Sequence, residues 1–436
     1  MHVNDMNFTA IDWILNVDLE ALGEEHLAQA KRALLDTLGV AAGASRTSLA
    51  KHAERYVVSQ HGGNRPLLFS TATASASGVA LHGAWMIDAL DAHDGQVLTK
   101  GHCGVALVPG IMALPEAEKL SGRELLGLLV MGYEVATRAG IALHASACDY
   151  HTSGAWNAIG VAAVAARLLR LDRQRLHEAL GIAEFYAPRS QMMRCIDHPT
   201  MVKDGSGWGA QAGIAAALLA QDGFTGAPAI TVAGSDVAQH WQDLGSRWYL
   251  HEQYFKAYPV CRWAQPATEA VLELAHDGQD LADIERITIT TFHAAKRLHV
   301  VRPTTTEQAQ YSLPWSVACA LGFGTIDVHA VTDALDDPGI QALAERVEII
   351  ESERFNALFP AERWAQVTLE MRDGSRHSSR EHEARGNPHN PLSDDELTRK
   401  FHALATPAIG RTHAEDLHGL IMTLESHSAR QLLERL

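Results

Sequence analysis

From Asp12 to about Gln253, apolar residues return at the three- and four-residue spacing of helices, over Glu25 to Leu38, Gly122 to Arg138, Ala158 to Leu171 and Trp208 to Gln221. Strand-like alternation is scarce in this half. Gly132, Gly140 and the run Ala162-Ala163-Val164-Ala165-Ala166 present little side chain, so these helices are expected to approach one another closely. Past Pro259 the period changes. Ile287-Thr288-Ile289-Thr290-Thr291 alternates within an expected strand from Ile284 to Phe292, Val347 to Ile350 reads as a shorter one, and Ala365 to Met371 runs into Asp373-Gly374 as half of a hairpin. Helical spacing lies between them, over Gln265 to Leu274 and Trp315 to Leu321. The turn-rich Gly386-Asn387-Pro388-His389-Asn390-Pro391 ends this mixed region, and Ser393-Asp394-Asp395-Glu396 is a capping-box start to a further helix. The pattern predicts a mostly α protein: a large all-helical domain over 1–257, a smaller α+β domain over 258–390, and C-terminal helices over 391–436 that return to the large domain.

Composition narrows what such a chain does. At 436 residues it exceeds one ordinary hydrophobic core, and 47% hydrophobic with 20% charged residues fits a folded globular protein. A formal net charge of -16 repels polyanions and argues against nucleic-acid binding, so an anionic ligand needs a local cluster of cations. Cys103, Cys148, Cys195, Cys261 and Cys319 are scattered and form no Cys-x-x-Cys pair, which points to a reducing compartment and away from a zinc site. The opening Met1-His2-Val3-Asn4-Asp5 has no secretory pattern, and the apolar runs read as too short for a membrane span. A soluble, cytoplasmic protein without membrane contact is expected. With 24 histidines in the chain, a histidine counts only within a constellation.

Four segments form one. Lys203-Asp204-Gly205-Ser206-Gly207-Trp208-Gly209 sets a lysine ahead of a small-residue helix, where its ammonium and the helix's positive end suit a small anion. Asp91-Ala92-His93-Asp94-Gly95 leads to Lys100-Gly101-His102-Cys103, and an Asp that orients a His is a common way to tune a general base. Tyr150-His151-Thr152-Ser153-Gly154 places a His at a helix mouth, where the dipole can keep it neutral. Phe255-Lys256-Ala257-Tyr258-Pro259-Val260-Cys261-Arg262 offers two cations at the domain junction, where ligand clefts tend to lie. Taken singly, each also reads as a solvated loop, a packing device or a structural ion pair. Metal-binding, nucleotide-binding and serine-hydrolase motifs are absent; Asp91, Asp94 and His102 could in principle hold a divalent ion, but nearby cations argue against it, which leaves acid–base chemistry by His, Asp and Lys on a small anion.

In this order the segments resemble the MmgE/PrpD family, whose members include dehydratases, decarboxylases and epimerases of small carboxylic acids. The resemblance spans nearly the whole chain. It rests also on Ser121-Gly122, Gly132-Tyr133-Glu134-Val135, Leu171-Asp172, Ala179-Leu180-Gly181-Ile182-Ala183, Gly223-Phe224-Thr225-Gly226, Lys256-Ala257-Tyr258-Pro259 and Asn390-Pro391-Leu392-Ser393-Asp394. It implies that the smaller domain is a lid over a site between the two domains, in a homodimer needing neither metal nor organic cofactor. Asp91, His102, His151 and Lys203 match the family's catalytic residues, and Lys256, Arg262, Gln265, Trp315 and Arg194 are placed as substrate contacts. The chain departs from the family where Cys103 follows His102, where Gln265 aligns with a decarboxylase histidine, and where Trp315 aligns with a decarboxylase tyrosine.

The expectation is a lyase that abstracts a proton next to a carboxylate of a small di- or tricarboxylate, most simply dehydrating a hydroxy acid. His151 is the expected base, His102 with Asp91 the acid, and Lys203 the carboxylate anchor. Epimerisation or decarboxylation at the same site is the first alternative, and a catalytically silent carboxylate-binding protein the second.

Overall fold

A computed structural model of the chain describes residues 9–275 and 280–436. Helices dominate it, with one smaller α+β region. The helix Ser206–Gln221 packs against Gly154–Leu168, Ala76–Asp88 and Arg173–Tyr186. The contact is close because glycine stands where it closes: a Cβ on Gly209 would lie 2.4 Å from Asn157 Oδ1 and 2.7 Å from the Gly154 Cα. Gly122–Ser146 is longer than its sequence pattern predicts. Against the sequence expectation, its length and apolarity alone would allow it to cross a membrane, but 94% of its apolar window is buried inside the protein, where other helices take the place of lipid.

The strands lie where alternation placed them, over Val347–Glu351, Ile284–Thr291 and Trp364–Met371, followed by Arg376–Ser378. Ile284–Thr291 pairs parallel with Val347–Glu351 and antiparallel with Trp364–Met371, and His382–Glu383 pairs with the latter. Ile287, Ile289, Val367 and Leu369 are buried. The helix Gln265–Leu274 packs on Trp364–Met371 and on the helix Leu313–Phe323.

The chain's end returns to the helical domain. Asp394–Ile409, started by the Ser393 capping box, packs along Glu24–Ala44, where Phe401 lies so close to Gly39 that a Cβ there would stand 2.9 Å from its ring. One feature too short for any sequence period positions the site. Gly95–Gln96 pairs antiparallel with Gln253–Tyr254, which ties the Asp91–His102 loop to the segment carrying Lys256.

Candidate active site

The helix Ala76–Asp88 ends just before the loop, and the chain then turns through Asp91 with φ 49. It forms the short strand Gly95–Gln96, returns through a bridge between Gln96 and Gly101, and passes Lys100 at φ 51 before His102. Lys203 also has a positive φ, of 48. Left-handed backbone is costly for residues with a Cβ, so three such residues about one site mark loops held by their surroundings.

The loop meets the 254–262 segment at a narrow cavity of about 40 Å³, lined by Asp91, Lys100, His102, Tyr254, Lys256 and Arg262 together with Tyr150, Tyr311 and Arg363. The Lys256 ammonium donates to Asp91 Oδ1 at 2.7 Å and to the Asp91 carbonyl at 2.7 Å. Burial pushes the Asp91 carboxyl up, but Lys256 and then Lys203 outweigh it and hold the group ionised, below its ordinary range. His102 Nδ1 lies 2.5 Å from the Asp94 carbonyl, which can only accept, so Nδ1 carries the proton and Nε2 keeps its lone pair. The His102 backbone N–H donates to Ser153 Oγ at 2.9 Å, and the Ser153 hydroxyl donates to Asp204. Burial first, then the Lys256 charge against the pull of Asp91, lowers the pKa of His102 to about 4. The imidazole is therefore a neutral acceptor at neutral pH.

Lys203 is 2% exposed, and its ammonium donates to Gln310 Oε1 at 2.6 Å and lies 5.1 Å from the Tyr311 ring centroid. Gln310 is fixed in turn by donating to the Ala89 carbonyl and to Thr306 Oγ1, both at 2.8 Å. Arg262 donates to the Ala384 carbonyl at 3.0 Å and Asn387 Oδ1 at 2.6 Å, and its guanidinium lies 4.2 Å from the Tyr254 ring centroid. Asp91, His102, Lys203, Lys256 and Arg262 thus come together.

Four expected residues do not. His151 is 8% exposed and lies away from the cavity, its backbone N–H donating to His144 Nε2 at 3.2 Å while the neighbouring Tyr150 lines the void. Gln265 spends its amide on the carbonyls of Tyr258, at 2.9 Å, and Val260, at 3.1 Å, so it braces the Lys256 to Arg262 turn. Trp315 donates to the Ala330 carbonyl at 2.9 Å and does not line the cavity; the aromatic of this segment that does is Tyr311, just before the helix Leu313–Phe323. Arg194 lines a second, larger groove of about 760 Å³ beside Tyr56, Met201 and Trp208; Lys203 borders this groove, and reaches the small cavity's residues through Tyr311 and its charge on Asp91. Sequence reasoning missed Lys100, Tyr254, Tyr311 and Arg363. Lys100 stands in the loop before His102 that the sequence marks, whereas Arg363 precedes a strand and carries no local signal.

Among the described residues, Asp91, His93 and His102 bring potential metal-ligand atoms within 4.8 Å of one another. The donor set does not fit a cation, since Asp91 Oδ1 already accepts from Lys256, His102 Nδ1 faces a carbonyl, and the ammoniums of Lys203 and Lys256 act on the same group.

Comparison with known proteins identifies the family. A family model described as the MmgE/PrpD N-terminal domain matches residues 10–241, and one described as the MmgE/PrpD C-terminal domain matches residues 258–426. The chain is 26% identical to a cis-aconitate decarboxylase of Mus musculus, over 94% of this chain and 88% of the relative. It is 25% identical to that of Homo sapiens, over 93% and 88%. A cis-aconitate decarboxylase-like protein of Aspergillus oryzae is 21% identical over 95% and 93%.

Proposed function

The chain belongs to the MmgE/PrpD family, a family of lyases acting on small carboxylates, and from that premise we propose that it is a cofactor-independent hydro-lyase of a di- or tricarboxylic hydroxy acid. One observation carries the reading: a buried neutral histidine, with Nε2 free, lines a cavity rich in cations beside an ionised aspartate. His102 Nε2 takes the proton from the carbon next to a carboxylate. The positive charge around it stabilises the enolate-like transition state, where negative charge grows on the carboxylate oxygens. The C–O bond at the β carbon then breaks, and the leaving hydroxide departs as water with the proton that His102 has taken up. Lys256 holds Asp91 in place, and Asp91 favours the imidazolium as it forms. The base is His102 here instead of His151, because only His102 reaches the cavity.

Proton NMR of small hydroxy, amino and unsaturated acids in deuterated buffer tests the reaction. A vinylic signal from a hydroxy acid is expected. Exchange of the α-proton with conserved mass would make the enzyme an epimerase, and loss of carbon dioxide would make it a decarboxylase, the outcome favoured by the names of its relatives. The absence of turnover and exchange across the screen would overturn the enzymatic reading. Activity is expected to survive dialysis against EDTA, and loss of activity restored by a divalent ion would refute metal independence. The reading includes a homodimer, which sedimentation tests.

A further inference from the structure

Five arginine and lysine side chains are buried among the described residues: Arg138, Lys203, Lys256, Arg262 and Arg363. Four have partners. Arg138 meets Glu134 and Asp243, Lys203 meets Gln310, Lys256 meets Asp91, and Arg262 meets carbonyls and Asn387. Arg363 is different. It is 4% exposed and lines the cavity, yet among the described residues no hydrogen bond and no ion pair reaches its guanidinium, and its buried Nε has no partner. The Phe359 ring lies 5.9 Å from the guanidinium carbon, and the carboxylate that favours its charge, Glu383, makes no ion pair with it and accepts instead from Asn387 and His389. A buried charge with no hydrogen-bonded partner is expensive, so the fold carries it at a cost that an anion in the cavity would relieve.

A second cation faces the same void from the other domain. Lys100 lies in the loop before His102, its carbonyl accepting from the Tyr150 hydroxyl and its ammonium 5.0 Å from the Tyr150 ring centroid. Among the described residues no carboxylate pairs with it, and the Arg363 guanidinium is near enough to disfavour its charge after burial has done so. Two like charges thus converge on one cavity from opposite domains.

We infer that Arg363 and Lys100 form a second carboxylate site, a clamp between the lid and the helical domain for the far carboxylate of a di- or tricarboxylate whose reacting carbon lies at His102. The guanidinium's fork matches a carboxylate with two parallel hydrogen bonds, and Lys100 adds a point charge from the opposite side. Neither side chain binds the far carboxylate fully alone, so the lid's placement depends on the substrate's second charge. The clamp rests on reading the cavity as a carboxylate site, and selects diacids over monoacids.

The test uses the full chain, with succinate, citrate and butyrate as probes, in calorimetry and thermal unfolding. The wild type is expected to bind succinate or citrate and be stabilised by it, and to bind butyrate far more weakly. Arg363→Met is expected to unfold at the same or a higher temperature when empty, since it removes an unpaired buried charge, and to bind the diacids at least about 30-fold more weakly. Lys100→Met, at a partly exposed position, is expected to weaken them about 5-fold. Binding of succinate and citrate by Arg363→Met at wild-type affinity, or equal losses for butyrate and the diacids, would overturn the clamp alone. Failure of the wild type to bind any of the three, with no turnover in the acid screen, would overturn the carboxylate reading and the clamp with it.

Discussion

His102 owes its assigned role to two neighbours unlike each other in character: a carbonyl that accepts the hydrogen bond from Nδ1–H and an ammonium that discourages a second proton. His102→Asn is expected to lower kcat/KM by about 100-fold or more, the range of acid–base contributions, with unchanged circular dichroism. His151→Asn, off the cavity, is expected to cost less than about tenfold; the reverse order would return the base to His151. The free enzyme needs His102 unprotonated, so the acid limb of kcat/KM should fall through about 4, below the ordinary 6.5. Bound carboxylates offset the charges of Lys256 and Lys203, so the acid limb of kcat should lie higher. Two limbs that coincide at the ordinary value would exclude His102 as the base. At this scale the sequence marked Asp91, His102, Lys203, Lys256 and Arg262 through loops rich in charge. It placed Gln265 and Trp315 wrongly at the cavity, because spacing along a segment does not say which face turns inward; Tyr311 and Trp315 are four residues apart and end in different surroundings.

Helices and strands were legible wherever periodicity was long, and their ends wherever a cap was present, as at Ser393. The end of Gly154–Leu168 was not, because the residue that turns it is no glycine. Arg170 has φ 54, and the next amide, on Leu171, donates back to the Ala166 carbonyl at 2.9 Å. Arg170→Gly is therefore expected to raise stability by about 0.5–1 kcal/mol, seen as a higher urea midpoint; a lower midpoint would show that the left-handed turn is not strained. Gly209→Ala has the opposite sign. Its Cβ meets the backbone of Gly154, which cannot swing aside, so a loss of about 1–3 kcal/mol is expected in the same measurement, and an unchanged midpoint would mean that the two helices can separate freely.

The whole molecule depends on its chain end. Lys400, from Asp394–Ile409, donates to Asp36 Oδ1 at 2.5 Å and to the Ala92 carbonyl at 2.6 Å, so a residue near the C-terminus supports the loop that carries Asp91. Deleting 391–436 should bare the apolar face of Glu24–Ala44 and yield an aggregating or protease-sensitive chain; a soluble, protease-resistant remainder would show that the tail is an accessory. The sequence by itself determined the helical character, the change to strands after Pro259, the family, and the loops that supply charge, because periodicity and local residue chemistry are properties of neighbouring positions. Tertiary structure decided which of those charges face one another. Pairing of Gly95–Gln96 with Gln253–Tyr254 brought Lys256 to Asp91, packing of the smaller α+β region left the Arg363 Nε buried without a partner among the described residues, and His151 does not line the cavity. Such outcomes depend on contacts between segments far apart along the chain, and no local pattern encodes them.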